Sequence, residues 1–144
     1  MQYQKITDNN FVIKIKRGEK IVESLQKFCK ELKVINAFFY GLGAVDWVKL
    51  GEYNVSTKKY HEVEFNKEME LTNITGNVAD FPDGIIIHSH ATVSDHDMQA
   101  FGGHLVDGRV SGTAEIYLTK FDSNIVKKYD EETGLKLMEL EKEI

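Results

Sequence analysis

Only one stretch of this chain repeats at the spacing of an α-helix, and it is over by residue 33. Between Glu19 and Lys33, the residues Ile21, Leu25, Phe28 and Leu32 fall on one helical face, with Cys29 beside them. Glu19 and Glu23 stand in the first turns, where the helix dipole favours negative charge. Ahead of this segment, FVIKIKRG alternates apolar and charged residues at Phe11, Ile13 and Ile15, the period of a half-buried strand. From Val34 onward the pattern is β: INAFFYGLGAV, WVKLGEYN, HEVEF and MELTNITGNVA read as successive strands or strand pairs, broken by glycines. GIIIHSHATV follows a Pro82-Asp83-Gly84 turn, and TAEIYLTKF reads as a last long strand after a GGHL loop. DEETG marks another turn, and LKLMELEKEI beyond it suits strand or helix. One helix cannot cover both faces of so much sheet. The expected fold is α+β: a mostly antiparallel mixed sheet with one main helix in the N-terminal half.

The 144 residues suffice for one domain with a real core and are too few for two of ordinary size. No apolar run approaches the roughly 20 residues that span a bilayer, so no membrane partner is expected. MQYQKITDNN lacks the apolar middle of a signal peptide. The single cysteine, Cys29, forms no internal disulfide and suits a reducing cytoplasm; on the apolar helix face it reads as a small core residue.

Charge bears on nucleic acid. The formal net charge is −5, and the only arginines are Arg17 and Arg109. Binding to a phosphate backbone ordinarily shows as a basic domain or stripe. Basic residues gather loosely at Lys14, Lys16, Arg17 and Lys20, and at Lys58, Lys59, Lys127 and Lys128, and both groups read as solvated surface. The balance disfavours DNA as a partner without removing the option of a local patch.

Chemistry concentrates between Gly84 and His104, which holds four of the five histidines. His88 and His90 are two apart, so on a strand they point to one face about 7 Å apart. They stand on the expected inner side of an apolar strand, where polar groups need partners. Gly102 and Gly103 let the backbone fold in closely and deliver a third imidazole, His104. Three histidines with an open fourth position form the usual reactive zinc site. Zinc is the first choice of metal, and other divalent transition metals suit the same ligands. A small molecule or anion could take the open position. His96, in the polar SDHDM stretch, reads as an exposed turn residue, and His61 has no assigned role.

Glu115 is a carboxylate within the apolar GTAEI strand. It could be a fourth ligand, an acceptor for a ligating imidazole, a general base, or a strand glutamate paired with lysine. A cupin also uses H-x-H and a later histidine, but Asp95 stands where its glutamate would be, no Pro-x-Gly precedes the third histidine, and the early helix fits poorly.

RGE, YGLGAV, EMELTNITGNV, HSHATVSD, FGGHLVDGRV and TAEIYL, in that order, resemble the plant- and prokaryote-conserved (PPC) domain, also called DUF296 or PD1-like. The resemblance spans roughly Phe11 to Leu140 of a single domain over residues 1–144. It implies a compact α+β fold assembled as a homotrimer, with the histidine site near a subunit boundary and His88, His90 and His104 converging on a metal. Plant members carry the domain behind an AT-hook that enters the minor groove. Arg17-Gly18 is present here without such a segment, and this chain keeps histidines that the plant domains generally lack. Stand-alone members are nonetheless commonly labelled DNA-binding, which makes a DNA-binding or regulatory module the alternative to a metal protein. If the chain is an enzyme, a three-histidine zinc would lower the pKa of bound water toward about 7. Apolar strands such as INAFFYGLGAV and EMELTNITGNV carry more apolar surface than one helix covers, and trimerisation would bury it.

Overall fold

Phe11, Ile13 and Ile15 are all buried, as their alternation requires, while Lys14 and Lys16 between and beyond them face solvent. In this computed structural model, residues 1–142 are described. Strands β1 (Gln2–Lys5) and β2 (Asn10–Lys16) lead to helix α1 (Ile21–Glu31). Then come β3 (Ala37–Asn54), β4 (Lys59–Phe65), β5 (Met69–Phe81), β6 (Gly84–Ser94), β7 (Ala100–Lys120), β8 (Val126–Tyr129) and β9 (Lys136–Glu139). The result is the α+β class expected from the pattern, with one helix among the described residues.

The helix is shorter than its apolar spacing predicts. Glu19 lies outside it, accepting from the Lys16 N–H at 2.8 Å and pairing with the amino terminus. Leu32 is the C-cap, and Lys33 leaves the helix at φ +53°. Lys20 at the N-cap supplies no side-chain acceptor, and the Val22 N–H instead donates to Asp107 Oδ1 at 2.9 Å. Ile21, Leu25, Phe28 and Cys29 are buried beneath the helix, against β7 and β6. The Cys29 thiol is pushed up to about 12 by desolvation alone, as an inert core residue should be.

The sheet is antiparallel throughout except for one parallel pairing of β5 with β8, Asp80 opposite Val126. INAFFYGLGAV and WVKLGEYN are one continuous strand of 18 residues, irregular between Gly43 and Val45 and again between Val45 and Trp47. β3 pairs with β7 and β5, and β6 pairs with both β5 and β7, so these four strands close a circuit. Inside it Phe39, Val45, Leu71, Ile74, Val93, Ala114 and Ile116 form the core. GGHL is no loop. It lies within the 21-residue β7, and the turn into that strand is Asp95–Gln99.

The C-terminal segment after DEETG is a strand over Lys136–Glu139, and residues 143–144 of it lie outside the described residues. β8 and β9 form a hairpin laid over the outer face of the barrel-like circuit. It is held by the Asn36 side chain, which donates to Ile125 O and accepts from the Ile125 N–H, both at 2.7 Å. The Tyr53 hydroxyl donates to Thr133 O at 2.8 Å at the hairpin's tip.

Candidate metal centre

Period two decides which face of β6 carries which residue. Ile85, Ile87, Ala91 and Val93 turn toward the core, with Ser89 buried among them. His88 and His90 therefore point the opposite way. Sequence reasoning expects them on the inner side; the core claims the odd-numbered residues, and the pair faces an open pocket on the outside.

His104 arrives by pairing register. In the β6–β7 ladder His104 stands directly opposite His90, and on its other side β7 places it against Gly51 of β3. Gly103 makes that approach possible: a Cβ there would stand 2.8 Å from the Gly51 carbonyl oxygen. Gly103 thus acts through its missing side chain and not through backbone freedom, since neither Gly102 nor Gly103 has a positive φ.

The three rings form a near-equilateral triangle. Centroids are 5.3 Å apart for His88–His90, 5.3 Å for His88–His104 and 5.7 Å for His90–His104. One nitrogen from each lies within 4.8 Å of the others. His88 is pushed down to about 4, chiefly by desolvation and then by the charges of Lys127, His104 and His90. His104 is lowered as well, by desolvation first and then by His90. Both are neutral at pH 7 with a lone pair to give, the form a metal takes. His104 Nδ1 is buried without a hydrogen-bond partner, as is Oδ1 of Asn77, the residue opposite His88. Buried polar atoms ordinarily find partners, so these orphaned atoms fit a bound ion and its company.

Glu115 does not belong to this group. It lies eleven residues beyond His104 on β7, roughly 36 Å of strand away, exposed, opposite Lys14 on one side and Leu42 on the other. Within one chain it is neither ligand nor base for the histidines. His96 is exposed, as expected. It lies with Asp97 beside Asp95, whose carboxylate accepts from Lys67 Nζ at 2.9 Å and from the Asp97 and Gln99 N–H groups at 3.1 Å, bracing the turn. His61 stands exposed on β4, opposite Glu52.

The residue that sequence reasoning misses is Lys127. A Lys-Lys pair next to a turn reads as surface, yet β8 buries Lys127 to 3% exposure at the wall of the histidine pocket, while Lys128 stays outside and pairs with Glu139. No local signal marks the difference. The pocket, about 830 Å³, lies between the histidines and the hairpin, with walls that include Tyr60, Ile86, Leu135 and Met138.

A closed β circuit with one covering helix and a three-histidine pocket under a C-terminal hairpin defines a small α+β domain with the donor set of a metal site. The chain belongs to the Plants and Prokaryotes Conserved (PCC) domain family, whose model matches residues 3–122. Among solved structures it is similar to a "putative DNA-binding protein" from Bacteroides thetaiotaomicron, at 30% identity over 96% of each chain with a TM-score of 0.92. It is also similar to a plant- and prokaryote-conserved protein from Pyrococcus horikoshii, at 28% identity over 92% of each chain with a TM-score of 0.86. A metal-containing protein from Archaeoglobus fulgidus shares the fold, at 23% identity over 97% of this chain and 99% of that one, with a TM-score of 0.85. No curated protein matches the sequence.

Proposed function

We propose that this chain is a metal-binding member of its family that holds a divalent transition metal, zinc first among them, on His88, His90 and His104. The observation that carries this is the convergence of three imidazole nitrogens within 4.8 Å in a pocket where two of the rings are held neutral. Three neutral nitrogen donors suit zinc and leave its fourth position toward the pocket, open to a small molecule or anion. A bound metal would supply Lewis acidity there. The chain's own residues hold it, and the hairpin limits access from solvent.

The working form is a homotrimer in the cytoplasm. Phe38, Tyr40 and Leu42 of β3 and Tyr117 of β7 stand exposed on one outer face, with Tyr40 and Tyr117 stacked at 5.5 Å. Glu115 lies in this face, opposite Leu42. β5 contributes less than its sequence suggests, because Met69, Leu71, Ile74 and Val78 are all spent on the core and its outer face is polar. Burial of the aromatic face between copies is what the three-fold symmetry suggested by the family resemblance would provide.

Elemental analysis of tag-free protein resupplied with zinc tests the metal. About one equivalent per chain is expected, lost in a His88→Ala/His90→Ala variant. An absence of transition metal, or full metal in the variant, overturns the assignment.

A second reading is favoured by one finding: similar proteins at 30% and 26% identity are named as DNA-binding candidates. In that reading the contact surface is lysine, multiplied by assembly. Duplex binding whose log K falls linearly with log salt would support it. Binding confined to very low salt and indifferent to Lys14→Glu/Lys16→Glu would dismiss it.

A further inference from the structure

Lys127 is buried to 3% exposure and has no ion-pair partner among the described residues. Among the described residues no carboxylate pairs with it and no group accepts a hydrogen bond from its Nζ, although its side chain lines the histidine pocket. A buried charge without a partner is expensive, and proteins ordinarily pair it. Other lysines show the usual solutions: the adjacent Lys128 pairs with Glu139 at 2.6 Å, and Lys67, elsewhere in the fold, with Asp95 at 2.9 Å. Lys136, also at the pocket, places its Nζ 4.2 Å from the centroid of the Phe81 ring. Only Lys127 is left facing the histidines. The hairpin that carries it begins after residue 122, where the family match stops.

We infer that the pocket binds a small organic carboxylate, its anionic end between Lys127 Nζ and the three-histidine cluster and its apolar body against Val55, Tyr60, Ile86, Leu137 and Met138. This deepens the metal-site reading and rests on it for one of the carboxylate's two contacts. A carboxylate is favoured over phosphate because the pocket offers a single unpaired cation. It contains no arginine and no helix N-terminus, the devices that recognise phosphate oxygens. An apolar body is favoured by the walls and by a volume of about 830 Å³, within the range of small-molecule pockets.

The test is titration calorimetry of butyrate into full-length protein, once loaded with zinc and once stripped by chelator. Expected is saturable binding to the zinc form, weakened roughly ten- to a hundredfold in Lys127→Met, the loss of one charge-assisted hydrogen bond. Lys128→Met should match the parent, and butylamine should not bind. No butyrate binding by the zinc form, equal affinity in Lys127→Met, or tighter binding of inorganic phosphate than of butyrate overturns the inference. If the protein takes up no zinc, the metal reading fails separately. Butyrate bound by the metal-free chain and released by Lys127→Met then sustains the carboxylate pocket, and no such binding ends it. Should Lys127→Met not fold, the parent decides: affinity must rise from acetate to hexanoate, and a flat series refutes the apolar body.

Discussion

Gly102 and Gly103 are neighbours in sequence, identical in chemistry and both without positive φ, yet alanine should affect them very differently. At Gly103 the new Cβ would stand 2.8 Å from the Gly51 carbonyl oxygen, with Gly51 C and N at 3.6 and 3.7 Å. All three are backbone atoms, so no side chain can swing aside, and β7 must move away from β3. Inserting a methyl group into a packed site of this kind costs about 1–3 kcal/mol. At Gly102 the nearest atoms are Ala91 O and Thr92 Oγ1, both at 3.5 Å, which is ordinary contact. A change within about 0.5 kcal/mol is expected there. For a domain of this size 1 kcal/mol moves the melting temperature by roughly 3–5 °C. Gly103→Ala should therefore melt some 3–15 °C below the parent and Gly102→Ala within about 2–3 °C of it. The assay is thermal unfolding followed by circular dichroism on chelator-treated protein, so that metal affinity does not enter. Repeated with zinc, the gap should widen, because displacing β7 moves His104 and weakens a ligand that stabilises only the folded form. Equal melting temperatures for the two variants would refute the close-approach argument.

Further outcomes follow from the same geometry. His88 has a folded-state pKa of about 4, below the ordinary imidazole value of about 6.5, so the unfolded chain binds the proton more readily. Metal-free protein should lose stability as pH falls from about 6.5 to about 4, and chemical denaturation across that window should show a shallower loss in His88→Gln. Cys29, with its thiol pushed up to about 12, should resist a thiol reagent in the native protein and react once unfolded; rapid native labelling would contradict its burial. A charge placed in the aromatic face, Tyr40→Glu with Tyr117→Glu, should convert a trimer of about 50 kDa into monomers by light scattering, and an unchanged mass would show that copies meet elsewhere.

Much of this protein was legible from local period. The helix face of Ile21, Leu25 and Phe28, the strand of Phe11, Ile13 and Ile15, and the shared side of His88 and His90 depend on residues two to four apart, and backbone geometry sets them wherever the element lies. The ordered motifs from RGE to TAEIYL carried the family, and the Gly102-Gly103 pair pointed to His104 as the third imidazole. What the sequence left open depends on register and contact between distant segments. Nothing local shows that His104 stands opposite His90, that β3 runs unbroken through Gly43, or that Gly103 touches Gly51. Which alternative held for Glu115, and where Lys127 stands, went unread for the same reason. Carboxylate and ammonium look alike in an alternating strand, and only the fold decided that one stands outside, far down β7, while the other closes the histidine pocket. Side-chain periodicity is a property of one strand; a site is a property of which strands meet.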